Sequence, residues 1–388
     1  MAPRAGLAAV LRTFGPAYLA THVLTAGQER VWRAIRACRT AALGGQVECC
    51  TECGSTRYVY HSCRNRHCPL CQTRAKEAWL AARRRELLPV PYFHVVFTLP
   101  HALHRLVGQH AVLLYELLFR SAAATLTTFA ANPRWLGGIP AFSLVLHTWK
   151  QDLGRHLHVH ALVAGGALTA AGEWVQPRRG FLFPVKALSK VFRGKFIAAL
   201  EQERRAGQLH QDPALTTSVW HQLLAQLYIH DWVVYAKQPL GGPAQVLEYL
   251  SRYTHRVAIS NERIVGITQD AVALRVRERS AGTKKRTLRV AGTEFIDRFL
   301  QHVLPRGFKR IRHYGVLGPA HKAAHLAAAR TARCAPEPEP KLIESINAFM
   351  QRVARIEWSA CPRCEAGRFV IAQVLAPLRY RALSRGPP

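Results

Sequence analysis

Seven of the ten cysteines fall between Cys38 and Cys71, in a stretch whose densest part reads CCTECGSTRYVYHSCRNRHCPLCQ. Cysteines spaced this way in a reducing cytoplasm bind metal rather than pair as disulfides. Cys50 and Cys53 make one CxxC, Cys68 and Cys71 another, with fourteen residues between the pairs. Two intervening residues allow the tight turn that points both sulfurs at a tetrahedral Zn²⁺. The spacing predicts a structural zinc held by Cys50, Cys53, Cys68 and Cys71, with Gly54 in the sharp turn. Cys63 and His67, and also His61 and Cys49, lie close enough in sequence to exchange for a ligand or to join a second site. Cys38 and Cys49 read as small buried apolar residues. Arg64, Arg66, Arg74 and Lys76 flank the knot and suit contact with phosphate.

Charge narrows the partners. Lys and Arg total 54 against 23 Asp and Glu in 388 residues, a net +31. Such a charge opposes compaction unless a polyanion neutralises it, and nucleic acid is the expected partner. The basic residues are spread along the chain rather than gathered on one amphipathic helix, so a membrane surface is not expected. No small-molecule substrate is expected. No run reaches the roughly 18 to 20 uninterrupted apolar residues of a membrane span. The start, MAPRAGLAAVLRTFGPAY, lacks a long apolar core followed by a cleavage site. The expectation is a cytoplasmic protein.

Pattern and punctuation give an α+β arrangement. Residues 5–43 read as helical, broken at Gly15-Pro16, and 74–88 as a basic helix. YFHVVFTL (92–99), FSLVLHTW (142–149), HLHVHALVAGGAL (156–168) and HDWVVYAK (230–237) read as strands. Residues 111–130, 186–207 and 244–255 have helical periodicity. ERIVGIT, AVALRVRE and KKRTLRVA form a three-stranded meander, and GTEFIDRFLQHV is a helix. GFKRIRHYGVLG, basic and bounded by glycine, reads as a loop. ARCAPEPEP (332–340) reads as a linker. The expected division is a helical, zinc-binding domain at 1–88, a catalytic domain at 89–330, and a linker and tail at 331–388. The tail carries a lone CxxC, Cys361 and Cys364, for which Cys334 and His325 are the nearest possible partners.

In HLHVHALV, His156, His158 and His160 alternate with apolar residues. A strand repeats every two residues, so the imidazoles share one face and can hold one divalent cation between them. Mg²⁺ or Mn²⁺ is the expected catalytic ion, Mn²⁺ being the better match to imidazole. Tyr249 and Tyr253, in EYLSRYTHR, are four apart and lie on one side of a helix. A phenolate can attack a phosphodiester, and Arg252, His255 and Arg256 supply positive charge. Tyr253 also falls on the apolar stripe with Val246 and Leu250, whereas Tyr249 sits to one side and is the preferred first nucleophile.

Together, SCRNRHCPLCQ, YFHVVFTLPHAL, HLHVHALVAGGAL, EYLSRYTHRVAISNERI and GFKRIRHYGVLG resemble bacterial rolling-circle insertion-sequence transposases of the two-tyrosine HUH class, the ninety-one family. The resemblance spans about residues 46 to 318. It implies a zinc-binding N-terminal domain and an antiparallel-sheet HUH endonuclease core with flanking helices, in a nucleoid-associated bacterial protein. It implies cleavage of single-stranded DNA at transposon ends and rejoining through phosphotyrosine. By position, His158 and His160 are the metal pair, with Tyr249 and Tyr253 as nucleophiles. His156 stands where the family often has another residue. These motifs leave the third ligand open among His94, Gln151 and Glu248. The competing reading is a non-catalytic, zinc-dependent nucleic-acid-binding protein. A metal hydrolase built on the histidine run would need further Asp or His ligands close by, and ALVAGG follows instead. Oligomeric state is not legible.

Overall fold

The computed structural model describes residues 6–178, 180–209, 215–237, 245, 247, 248, 251, 258–277, 285–338, 340 and 344–378. The strands in chain order are β1 (Gly45–Cys50), β2 (Thr56–Tyr60), β3 (Tyr92–Thr98), β4 (Ile139–Trp149), β5 (Arg155–Leu168), β6 (Trp174–Val175), β7 (Val234–Lys237), β8 (Ile264–Ile267), β9 (Ala271–Arg277), β10 (Lys285–Ala291), β11 (Ile311–Gly315) and β12 (Phe369–Leu375). Among the described residues all pairings are antiparallel, in three sheets ordered β12-β1-β2, β10-β9-β8 and β11-β4-β5-β3-β7, with β6 on β5. Helices flank these sheets, which makes the chain α+β as expected.

The chain forms two compact units, one of residues 1–75, 259–303 and 340–388, the other of 76–258 and 304–339. This differs from the division expected at 88 and 331. The meander β8–β10 and the helix Gly292–Leu300 belong to the first unit, and so do residues 340–388 of the stretch expected as linker and tail. Residues 369–375 pair with 45–50 as β12 on β1, and the helix Ile346–Ala354 precedes them.

In the second unit the period-2 pattern of three strands sets the two faces of the large sheet. Phe93, Val95 and Phe97 of β3, Phe142, Leu144 and Leu146 of β4, and Leu157, Val159, Ala161 and Val163 of β5 enter one apolar cluster. Against it lie the helices Ala111–Ala131 and Val185–Arg205 through Leu114, Leu118, Phe119, Phe192 and Phe196. Fully burying each such side chain contributes about 1.5–3 kcal/mol. Ala111–Ala131 is long and apolar enough to cross a membrane by length and composition, but most of it is buried as a core helix. The opposite face carries Tyr92, Ala141, Leu162, Ala164 and Leu168, with Leu80, Leu88, Leu247, Val316 and Ala329 over them. The run expected as a loop at 307–318 supplies β11, which extends the sheet by pairing Ile311–Gly315 with Ala141–Val145. Its basic residues fit because they are partnered: Arg312 donates to both carboxylate oxygens of Glu116, and His313 Nδ1 lies 2.7 Å from Ser143 Oγ.

In the first unit the helical stretch breaks into Leu7–Thr13, Gly15–Leu19 and Ala26–Ala37. Thr25 caps the third in a capping box with Gln28. Phe14 lies so close to Gly292 that a Cβ there would meet its ring at 2.1 Å, which requires glycine at the start of Gly292–Leu300.

Candidate functional site

The histidines of β5 share the face opposite the large apolar cluster. Register does the rest: His147 of β4 lies directly across from His158, and Val145 across from His160. Ligand atoms of His147, His158 and His160 fall within 4.8 Å of one another, and all three residues are buried. The His147 ring lies 4.3 Å from that of His160 and 5.2 Å from that of His158, both edge-on.

Hydrogen bonds orient the rings. His158 Nδ1 lies 3.1 Å from the His156 carbonyl oxygen, which can only accept, so Nδ1–H donates and Nε2 keeps its lone pair. His160 Nδ1 lies 2.8 Å from His94 Nε2, and the two rings stack at 5.0 Å. If His160 donates from Nδ1, His94 acts as the outer partner that a ligating imidazole ordinarily has. Burial pushes the imidazoles of His158 and His94 down, to about 3 and about 4, and holds His160 well below its ordinary range. Neutral rings with free lone pairs at pH 7 are the form that binds a cation. The donor set therefore fits a divalent ion with positions left open for other ligands.

Sequence alone missed His147, a single histidine on an apolar strand. Its signal was parity: it alternates with Leu146 and Leu144, as His158 and His160 alternate with core residues. Of the residues weighed for the third place, His94 sits behind His160 rather than in the group. Gln151 lies in the turn after β4, and Glu248 lies outside the group. His156 contributes its carbonyl, while its ring lies 4.9 Å from that of His158 and 6.1 Å from that of His101.

Tyr249 and Tyr253, with Arg252, His255 and Arg256, lie outside the described residues. Their described neighbours Gln245, Leu247, Glu248 and Ser251 are helical. Leu247 belongs to the apolar cluster of Leu162, and Leu162 follows His158 and His160 on the same face of β5.

The cysteines pair differently from the spacing. Cys50 and Cys53 do not join Cys68 and Cys71. One group is Cys38, Cys63, Cys68 and Cys71, the other Cys50, Cys53, Cys361 and Cys364. Topology is the reason. Cys50 and Cys53 sit at the turn between β1 and β2, and β12 starts opposite Cys50, so the Cys361–Cys364 knuckle just before it lands on that turn. Cys38, expected as a buried apolar residue, lies 3.4 Å from Cys71, sulfur to sulfur. Cys63 is 3.6 Å from Cys71, Cys50 3.6 Å from Cys364, and Cys53 3.7 Å from Cys361. A tetrahedral zinc with Zn–S near 2.3 Å separates its sulfurs by about 3.8 Å, so both groups fit the ion. A Cβ on Gly367 would meet Cys50 Sγ at 2.3 Å, and the Gly367 N–H donates to Cys364 Sγ at 3.4 Å. His67, read as a possible ligand, instead faces Asn65, with Nδ1 3.1 Å from Oδ1. Cys49 and Cys334 lie outside both groups, as does His325.

Comparison with known proteins agrees with these features. A family model described as "Putative transposase", of the Y2 type, matches residues 141–324, and one described as "Transposase zinc-binding domain" matches residues 10–99. "Putative transposase y4qJ" of Sinorhizobium fredii is 43% identical over 377 residues, covering 95% of each chain. The transposase for insertion sequence element IS801 of Pseudomonas savastanoi pv. phaseolicola is 29% identical over 317 residues, 79% of this chain and 74% of its own. A solved conjugative relaxase in complex with oriT DNA, metal-bound, aligns over 42% of this chain and 70% of its own at 13% identity, with a TM-score of 0.22, too low to carry weight. The chain belongs to the IS91 family of transposases, with a zinc-binding domain at its N-terminal end.

Proposed function

We propose that this transposase nicks single-stranded DNA at the ends of an insertion sequence and rejoins it through a phosphotyrosine, as rolling-circle transposition requires. His147, His158 and His160 would hold Mn²⁺ or Mg²⁺, with Mn²⁺ the better match to an all-imidazole set. Such an ion polarises a scissile phosphate and offsets charge in the transition state. Tyr249 or Tyr253 would attack phosphorus. A bond forms from the phenol oxygen to phosphorus, the bond to the 3′ oxygen breaks, and that oxygen leaves as a hydroxyl. The phenol proton passes to a neighbouring base or to water. Bond energy is conserved in the phosphotyrosine, so a second 3′ hydroxyl can reverse the step without ATP. The His156 carbonyl and the His94 ring hold the ligating imidazoles in orientation. The two four-cysteine groups would carry structural Zn²⁺.

The observation that carries this reading is the buried three-imidazole group on the central strands, on the sheet face where Leu247, two residues before Tyr249, also packs. The test is incubation of the zinc-loaded full chain with Mn²⁺ and single-stranded DNA of the element's end. A covalent adduct stable to denaturation is expected. The double variant Tyr249→Phe, Tyr253→Phe should lose it while DNA binding persists; an undiminished adduct rejects the tyrosine assignment. If replacing His158 and His160 by Ala leaves every activity intact, a non-catalytic zinc-dependent DNA-binding protein is the better account.

A further inference from the structure

One histidine of the run on β5 has no ligating duty. Alternation puts His156 on the same sheet face as His158 and His160, one step before them, but it is not among the three imidazoles of the cation group. Its ring lies 4.9 Å from that of His158 and 6.1 Å from that of His101, and the rings of His101 and His104 lie 4.4 Å apart. A row of rings therefore runs from the cation site to the end of the sheet where β5 begins. His101 and His104 sit just after β3, in the short turn His101–Leu103 and at the start of the helix His104–Gln109. Arg155 donates from Nη1 to the His104 carbonyl at 3.1 Å. Lys150 stands in the turn between β4 and β5, where its N–H donates to the Gly154 carbonyl at 2.8 Å. His101 is exposed, and His104, Lys150 and His156 are half-buried, so the row opens to solvent at His101.

Two of these rings hold a buried nitrogen that meets no partner among the described residues, Nε2 of His104 and Nδ1 of His156. A buried polar atom left unpaired costs stability unless something binds it. Burial, and then His101, Arg155, His156 and Lys150 around it, bring the His104 imidazole down to about 4. The surroundings are thus rich in N–H donors, and the ligand that answers several of them at once is an anion with multiple acceptor oxygens. A cation fits less well. The rings of His101, His104 and His156 do not bring three nitrogens within 4.8 Å of one another, as those of His147, His158 and His160 do, and the Lys150 ammonium can only donate. Spacing narrows the anion. Same-face residues on a strand repeat at roughly 7 Å, comparable to the step between neighbouring phosphates of one DNA strand. With one phosphate at the cation beside His158, the next falls at His156.

We propose that His101, His104, Lys150 and His156 bind the phosphate next to the one being cut and so set the register of the DNA strand in the cation site. His104 Nε2–H and His156 Nδ1–H donate to its oxygens, His101 closes the open side, and Lys150 supplies positive charge. The contact is to backbone, so it positions the strand without reading its bases. This inference rests on the strand-cleavage reading above and names the residues that align the substrate for it.

The test uses the zinc-loaded full chain, Mn²⁺ and single-stranded end DNA, in a series that replaces each phosphate in turn by an uncharged methylphosphonate. Binding is measured for the wild type and for the double variant His101→Gln, His104→Gln, which leaves the His156 carbonyl on His158 untouched. In the wild type, one replacement beside the cut position should weaken binding by roughly tenfold or more. In the variant that replacement should cost little, because the contact is already gone, while replacements elsewhere cost as much as before. Lys150→Gln, in a turn, should blunt the loss at the same position and no other. Mn²⁺ affinity, zinc content and thermal midpoint should stay level in both variants. Losses that match the wild type at every position overturn the proposal. So does a lowered midpoint with all DNAs weakened alike, which assigns the rings a structural role. A second Mn²⁺ per wild-type chain, absent from the double variant, makes them a metal site instead. Binding needs no tyrosine: a wild type that forms no adduct counts against the strand-cleavage reading, and a position-specific loss cancelled in the variants still upholds the phosphate site.

Discussion

The imidazole face of the large sheet and the thiol groups of the first unit are both built for cations, and they are built in opposite ways. Each thiol group brings four sulfurs together from distant segments, Cys38 with Cys63, Cys68 and Cys71, and Cys50 and Cys53 with Cys361 and Cys364. Four sulfurs close a tetrahedral shell and leave no place for substrate, the mark of a structural site. The histidine group supplies three rings from two adjacent strands of a sheet already fixed by a large apolar core. Among the described residues it is short of a full shell, and its scaffold rests on that apolar core. Metal loss should therefore unfold one region and merely disarm the other.

The largest effect should come from the thiol groups. Zinc binding of this kind supplies on the order of 10 kcal/mol of folding free energy in small domains. Cys38→Ser and Cys364→Ser should each lower zinc content from two ions per chain to one, measured by elemental analysis, and cost the first unit several kcal/mol. A chain that keeps both ions in either variant would break the partition described above.

Next in size is His158→Ala. Loss of a ligand should slow adduct formation by more than about a hundredfold, the upper range for outer-shell changes. Zinc content and the thermal midpoint should barely move. A large drop in stability would erase the contrast between the two regions.

His94→Asn probes the outer partner of His160 at a smaller scale. Affinity for Mn²⁺ is expected to weaken by about 10- to 100-fold, with maximal cleavage recovered at high Mn²⁺. Cleavage that stays low at saturating Mn²⁺ would give His94 a different duty.

The smallest effect is on acid stability. Burial lowers the imidazoles of His94 and His313 to about 4 against an ordinary 6.5, and nearby Arg83 and Lys322 add to the effect at His313. The unfolded chain binds more protons than the native chain between those values, so this contribution is intact above pH 6.5 and is lost as pH falls toward 4. Urea unfolding of metal-free protein should register this decline between pH 6.5 and 4. The double variant His94→Asn, His313→Asn should flatten that part of the profile; an identical slope in both proteins would assign it elsewhere.

Much of this contrast is legible in the sequence, and the gaps have physical causes. HLHVHALV announces both its strand and its histidine face, because period 2 is local information. YFHVVFTL and FSLVLHTW likewise become β3 and β4. His147 is not legible, since one histidine on an apolar strand acquires meaning only from the register that sets it opposite His158. The cysteine partition is hidden for a similar reason. Spacing favours the nearest CxxC, whereas the β1–β12 pairing delivers Cys361 and Cys364 from the other end of the chain. The odd CxxC left in the tail is the available hint. The strand at Ile311–Gly315 is masked by its own charge and its bounding glycines, because an edge strand need not look apolar.

The central claim, that three imidazoles from two strands form one cation site, is tested most directly by Mn²⁺ titration of the zinc-loaded chain beside its His147→Ala variant. One Mn²⁺ per wild-type chain is predicted, with binding at least about a hundredfold weaker in the variant while both zinc ions stay in place. Equal Mn²⁺ affinity in the two proteins would contradict the account.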